Sequence, residues 1–381
     1  MYSLYIHIPF CRRACYYCDF HFSTTLKHKA KMVTAICKEL ELRKEEAEGT
    51  ELQTIYLGGG TPSILSNEEL AAIFNTIYLH YKISSFAEIT LEANPDDFFR
   101  DTTPKERLLA LQQLGINRLS LGVQSFFAED LQLMNRIHTT EQIETLLPIA
   151  LQYFDNITID LIYGIPTMSN ERWQKNIDKA LDFGIPHISA YALTVEEKTA
   201  LHKFIATGKI PPINDNLAYD HFITLIDKLE TKKFVQYEFS NFGKEGYFSK
   251  NNTAYWFGKP YMGIGPSAHS FNGKERSWNI ANNIKYLQQI LQEGKLPQEK
   301  EILSINNRYN ELIITRIRTM IGINIDEVAL NFGKEYKNYL LQQAQKYLEE
   351  EMLLIESNHL KVSKKGKFLS DGIAADLFRV D

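Results

Sequence analysis

The chain has 381 residues, 44% of them hydrophobic and 23% charged, with a formal net charge of −5. This suits a globular protein of one large and one smaller domain, and excludes a surface that is basic overall and built for nucleic acid. No stretch nears the roughly 18 consecutive apolar residues of a membrane span. Met1 to Arg13 has no charged segment followed by a long apolar run, so no signal peptide and a cytoplasmic location are expected.

In chain order, the expected strands are Leu4–Ile8, Thr54–Leu57, Glu88–Leu91, Arg118–Leu121, Ile157–Leu161 and His187–Ala192. Helical patterns fall between them at Lys27–Glu46, Asn67–Tyr81, Pro104–Leu114, Glu141–Tyr153 and Glu171–Phe183. Such alternation predicts the α/β class with a parallel sheet. Six strands predict an open, partial (β/α)6 barrel, because a closed one takes eight.

Past Ala192 the alternation fades. Tyr237–Phe271, rich in Gly, Asn and aromatics, is expected as loops closing one side of the barrel, which with them fills residues 1–270. Residues 271–305, with the polar stretch Lys285–Lys300, read as a connector. Residues 306–381 read as helices, two short strands around Leu353–Glu356 and Leu360–Val362, and a last helix, which is a winged-helix-like order. Lys361, Lys364, Lys365 and Lys367 form a short basic run there; solvated turns explain such runs more often than DNA contacts. The module is expected to cap the barrel or dock a partner, with no nucleic acid bound.

Of four cysteines, Cys11, Cys15 and Cys18 lie in one loop straight after the first strand. Crowding of this kind points to metal or redox chemistry and not to a disulfide framework. Three thiolates in C-x3-C-x2-C spacing can hold three irons of a cubane, leaving the fourth iron open to another ligand. Zinc on Cys11, Cys15, Cys18 and His21 is the alternative reading of the same residues. Cys37 shares a helix face with Val33, Ile36 and Leu40 and reads as a small buried hydrophobe. His7 reads as a buried, hydrogen-bonded strand residue. Gly58-Gly59-Gly60-Thr61 follows the second strand, where glycines let the backbone approach a ligand.

The segment Tyr5-Ile-His-Ile-Pro-Phe-Cys11 with Cys15-Tyr-Tyr17-Cys18 resembles the radical S-adenosylmethionine (SAM) superfamily. Within it, the flanking residues resemble the HemN/HemW branch of oxygen-independent coproporphyrinogen III dehydrogenases and haem chaperones. The resemblance implies a 4Fe-4S cluster on Cys11, Cys15 and Cys18, and SAM, which most members cleave reductively to a 5′-deoxyadenosyl radical. It implies that Gly59, Gly60 and Thr61 meet the SAM methionine, that Glu92 meets its ammonium group and that Arg136 pairs with its carboxylate. Gln124 falls on a polar anchor, Asp160 on a ribose contact and Thr194 near adenine. Tyr5 and Tyr17 also fall on SAM-site positions, although core packing explains Tyr17 equally well.

Two features favour the chaperone side of the branch. Cys18-Asp19-Phe20 lacks the further cysteine of the dehydrogenases, and Cys11 lies too near the start for their long N-terminal extension. The resemblance then implies haem as cargo, haem-acceptor proteins as partners, and an electron donor such as flavodoxin or ferredoxin if SAM is cleaved. Decarboxylation of a porphyrinogen is the competing reading. One departure stands out: the haem chaperones carry His-Asn-x-x-Tyr-Trp, and here the segment is Asn251-Asn252-Thr-Ala-Tyr255-Trp256. An amide is a poor axial ligand for haem iron, which leaves His269 as a substitute to consider.

Overall fold

A computed structural model describes residues 2–380. Strands β1 (Tyr2–Ile8), β2 (Leu52–Gly59), β3 (Ile83–Ala93), β4 (Arg118–Gln124), β5 (Asn156–Tyr163) and β6 (His187–Ala192) lie side by side and parallel, in chain order. Helices α1 (Lys29–Leu42), α2 (Asn67–His80), α3 (Pro104–Gln113), α4 (Ala128–Leu133), α5 (Thr140–Tyr153) and α6 (Asn170–Asp182) connect them. Several helix starts are written locally. Ser66 with Glu69, Thr103 with Glu106 and Thr139 with Gln142 form reciprocal capping boxes that satisfy first-turn N–H groups.

Through their central residues the strands alternate. One set of side chains, Leu4, Ile6, Ile55, Leu57, Ile89, Leu91, Leu119, Leu121, Ile157, Ile159 and Ile188, is buried in the core shared with the helices. The opposite set is polar or aromatic: Tyr5 and His7, Thr54 and Tyr56, Glu88, Thr90 and Glu92, Arg118 and Ser120, Thr158 and Asp160, Ser189 and Tyr191. Since side chains alternate between faces with period two, these polar residues line the concave interior. The barrel therefore has a polar lumen where a closed barrel of this type packs a hydrocarbon core.

After α7 (Ala200–Ala206) and α8 (Asp215–Thr231), short strands β7 (Val235–Gln236) and β8 (Asn241–Gly243) extend the sheet antiparallel beyond β6. Helix α9 (Lys250–Trp256) follows. On the other edge, β9 (Tyr261–Ile264) pairs parallel with β1, and β10 (His269–Phe271), β11 (Glu275–Asn279) and β12 (Gln298–Ile302) continue antiparallel, with α10 (Asn283–Gln288) inserted between β11 and β12. The sheet has 12 strands and two free edges, β12 and β7, so it stays open.

This corrects the expectation for the middle of the chain. The stretch Tyr237–Phe271 supplies strands as well as loops, and residues 271–305 are part of the sheet and not a connector. A buried polar cluster on α1 holds them there. Glu39, 0% exposed, accepts from Gly265 N at 2.8 Å, Asn279 Nδ2 at 2.7 Å and Tyr286 Oη at 2.6 Å. Arg43 pairs with Glu39 at 3.3 Å and donates to Gly263 O at 2.7 Å and Ser270 Oγ at 3.2 Å.

The C-terminal module runs α11 (Ile305–Ile317), β13 (Ile323–Asn324), α12 (Ile325–Phe332), α13 (Lys334–Glu349), β14 (Leu353–Glu356), β15 (His359–Val362) and α14 (Ser370–Asp376). Tyr309, Ile313, Val328, Leu340 and Leu360 anchor its own core. The basic run is largely spent within the chain. Lys364 pairs with Asp227 of α8, Lys367 donates to Gln236 at 2.6 Å, and Lys361 pairs with Glu356 at 2.7 Å. With Met320 N donating to Tyr237 O at 3.1 Å, the Lys364 and Lys367 contacts seat the module against α8 and the segment before α9. Among the described residues no helix is long and apolar enough to cross a membrane.

Candidate cluster and SAM site

The cysteine loop leaves the sheet at the C-terminal end of β1. Cys11 N donates to Ser23 O at 3.1 Å and Ser23 N to Pro9 O at 3.0 Å, so the loop closes on itself. Asn135 Nδ2 donates to Ala14 O at 2.7 Å, which ties the loop to the turn after α4. Each sulfur receives at least one donor, and Cys15 also takes the Tyr17 hydroxyl. Thr61 Oγ1 lies 3.5 Å from Cys11 Sγ, Arg136 Nη1 lies 3.3 Å from Cys15 Sγ, and the Phe20 backbone N–H reaches Cys18. Burial pushes the Cys11 and Cys18 thiols up to about 11. They keep their protons at neutral pH until a metal displaces them.

This donor set fits an iron–sulfur cluster. Thiolates on one loop, each taking an N–H or O–H, are what tunes and holds such a cluster. The zinc alternative would draw on the same three thiols and on His21. His21 Nε2 lies 2.8 Å from Asn283 Oδ1, which leaves Nδ1 free among the described residues. Among the described residues, no three His, Cys, Asp or Glu side chains gather as a single metal ion needs. A cubane, giving each thiolate its own iron, spreads them further apart. Cys37 lies on α1, partly buried against the main core and away from this loop.

The glycine turn packs against the loop. A Cβ on Gly60 would stand 2.5 Å from Phe10 O, and one on Gly59, whose φ is +103°, would stand 2.6 Å from the His7 ring. Only glycine lets β2 end this close to β1. His7 is 6% exposed, with Nε2 2.9 Å from His21 O and Nδ1 3.2 Å from Tyr5 Oη. Tyr5 stacks on Tyr56 at 6.1 Å between centroids.

Glu92 accepts from Tyr56 Oη at 2.7 Å. Burial pushes its carboxyl up to about 7, against the pull of that hydrogen bond. Asp160, across the lumen, is likewise pushed by burial to about 6, with Arg118 and Arg136 opposing the rise. Arg136 is half-buried and donates to Cys15, to Gly122 O at 3.0 Å and to Asn94 Oδ1. It forms no ion pair with a carboxylate among the described residues, and these bonds use three of the five N–H groups a guanidinium carries. Gly122 makes room for this convergence: a Cβ there would lie 3.0 Å from Gln124 Nε2 and 3.1 Å from Arg136 Nη2. Gln124 itself has φ 65°, a strained choice for a non-glycine residue at a strand end.

Thus Tyr5, Gly59, Gly60, Thr61, Glu92, Gln124, Arg136 and Asp160 gather around the cysteine end of the lumen. Tyr17 packs partly buried against the main core, close enough to Arg136 for their charges to interact. Thr194 lies exposed just past β6 and touches none of the others by hydrogen bond. The sequence reading missed Tyr56 and Asn94. The alternation Ile55-Tyr56-Leu57 would have shown that Tyr56 faces the lumen.

Asn251 stands elsewhere. Its backbone N donates to Glu88 at 3.1 Å, and its Oδ1 accepts from Thr54 Oγ1 at 3.0 Å. Both partners lie below the level at which β4 begins, so the N-terminus of α9 closes the floor of the lumen, opposite the cysteines. His269 is exposed on β10, its ring stacked on Trp278 at 6.0 Å.

The radical SAM superfamily pattern matches residues 5–180, and the HemN C-terminal domain pattern matches residues 303–369. A protein of Synechocystis sp. named heme chaperone HemW is 35% identical over 332 residues, covering 84% of this chain and 79% of its own. Its namesake from Bacillus subtilis is 29% identical over 376 residues, 98% of each chain. In fold, the chain is similar to the solved coproporphyrinogen III oxidase (HemN) of Escherichia coli, a radical SAM enzyme, with TM-score 0.85 and 23% identity over 99% of this chain and 90% of that one. The superfamily implies a 4Fe-4S cluster and SAM, for which the thiol loop and the lumen mouth supply a fitting donor set. The chain belongs to the radical SAM superfamily, within the family of heme chaperones named HemW.

Proposed function

We propose that this protein binds a 4Fe-4S cluster, SAM and haem, and hands the haem to acceptor proteins. The observation that carries the metal half is the thiol loop with a donor on every sulfur; the haem half is supported by the nearly full-length likeness to proteins named for that role. Cys11, Cys15 and Cys18 hold the cluster, which when bound supplies an electron and an open iron position for SAM. Arg136 turns its two remaining N–H groups to the SAM carboxylate, a pairing strengthened by its partial burial. Glu92 takes the ammonium group beside the Gly59-Gly60-Thr61 backbone. Asp160 accepts from the ribose, Gln124 anchors the same ligand, Tyr5 and Tyr17 wall it, and Thr194 lies toward adenine. A flavodoxin or ferredoxin serves as electron donor if SAM is cleaved. Clustered thiols suit a reducing, cytoplasmic compartment.

Phe20 is 69% exposed beside the cluster loop, where the dehydrogenases carry another cysteine, so this chain brings no fourth thiol there. The decisive experiment is anaerobic titration of the reconstituted protein with haem, with and without SAM, followed by transfer to an apo-haem protein. Saturable binding and transfer are expected. Absence of haem binding, or multiple turnovers of coproporphyrinogen III, would remove the chaperone reading.

A further inference from the structure

Deep in the lumen, below the level of Glu92 and Asp160, three neighbouring strands each carry an orphaned polar atom. Thr90, Arg118 and Asn156 are register partners across β3, β4 and β5. Thr90 Oγ1, Arg118 Nε and Asn156 Oδ1 are all sealed from solvent without a hydrogen-bond partner. Arg118 is 2% exposed, and its guanidinium hydrogen-bonds to no described residue. Glu88 Oε2 lies 3.9 Å from its Nε, near enough for attraction but too far for a hydrogen bond.

Alternation puts Arg118 on the lumen side, since its neighbour Leu119 is buried among the helices. Its charge is felt by Tyr56 on β2 and Asp160 on β5, which face the same space. A buried guanidinium with no hydrogen bond is costly, here because its Nε donor is sealed from water and pairs with nothing. Folds close such sets when the residue only supports structure, as Arg43 does with two carboxylates, a carbonyl and a hydroxyl. The open donors, Arg118 Nε–H and Thr90 O–H, match the needs of a carboxylate, whereas the acceptor Asn156 Oδ1 contributes nothing to it.

We propose that Arg118, with Thr90 beside it, is a carboxylate subsite at the bottom of the lumen, and that a carboxylate of the tetrapyrrole cargo occupies it. This rests on the haem reading above. Two sources share the chemistry: the propionates of haem and the carboxylate of SAM. The register favours haem, because Arg118 begins β4 whereas the proposed SAM contacts Gln124 and Arg136 lie at and beyond its far end.

Soret titrations of the reconstituted protein with haem and with haem dimethyl ester test it, on the wild type and on Arg118→Met. The wild type should bind the free acid at least about tenfold more tightly than the ester, as one charge-assisted contact gives. Arg118→Met should bring that ratio close to one. Equal wild-type affinity for acid and ester overturns the subsite while leaving the chaperone reading intact, and needs no variant to fold. If the wild type binds neither compound, the haem reading falls and takes the subsite with it. A variant that keeps the acid-to-ester ratio but loses SAM affinity assigns Arg118 to SAM and overturns the proposal.

Discussion

Two carboxylates placed deep in regular elements end in opposite situations. Glu39 faces the outer side of the sheet, fully buried, and accepts from Arg43, Gly265, Asn279 and Tyr286. Glu92 faces the lumen with Tyr56 as its side-chain donor and no cation in ion-pair reach among the described residues. One set is closed and ties β9 to β12 onto α1. The other is left open at the end of the lumen where the cysteines lie. The difference separates structural from functional polarity: a buried charge with all its partners holds the fold, whereas a half-satisfied one is ready for a ligand. Arg43 and Arg118 repeat the contrast among the cations.

The contrast predicts that changes on the two sides have separate effects. The largest is all-or-none. Replacing Cys11, Cys15 or Cys18 by Ala should abolish cluster assembly, read as iron and sulfide content near zero, whereas Cys37→Ala should leave both unchanged. Stoichiometric zinc without iron uptake would reverse the assignment of the loop.

On the outer side, Glu39→Ala should cost about 3–5 kcal/mol in urea unfolding, because the buried donors of Gly265, Asn279 and Tyr286 lose their shared acceptor and Arg43 keeps only Glu46 as a carboxylate partner. A loss below about 1 kcal/mol would show that the cluster does not hold the sheet extension. At the lumen mouth, Arg136→Ala should weaken SAM binding by about 2–3 kcal/mol if the carboxylate pair is desolvated. Calorimetry giving an unchanged dissociation constant would take Arg136 out of the site.

The smallest effect is a pH dependence. Glu92 is held at about 7 in the folded chain, above its ordinary value. Between the ordinary value and about 7 the folded state therefore binds more protons than the unfolded one, and Glu92 makes stability fall as pH rises through that window. SAM binding should run the other way, weakening as pH drops below about 7, because a protonated Glu92 no longer attracts an ammonium group. From pH 8 to pH 6 the loss should be about tenfold, and Glu92→Gln should flatten it. A slope that persists in Glu92→Gln would place the titrating group elsewhere.

The proposed site was legible to the extent that it is local. The spacing of Cys11, Cys15 and Cys18 marks a metal or redox loop, which the resemblance assigns to a cluster, and the glycine turn and the ends of β3 to β5 follow from strand–helix alternation. The polar lumen was also written there, in runs such as Glu88-Ile-Thr90-Leu-Glu92, although the reading as apolar strands passed over it. Asn251 marks the limit: its replacement of a histidine is plain in the sequence, but its place on the floor beside Glu88 and Thr54 is not.

By itself the sequence determined the cluster loop, the parallel order of six strands and the helix starts, because spacing, period and capping act within a few residues. Only the tertiary structure decided that residues 271–305 join the sheet, that Glu39 and Arg43 are buried, that the lysine run docks the C-terminal module, and that Arg118 is left unbonded. A Glu–Arg pair four apart on a helix reads as a solvated face. What buries it is Asn279 and Tyr286, more than 200 residues away, and local patterning carries no information about which distant strand will arrive alongside.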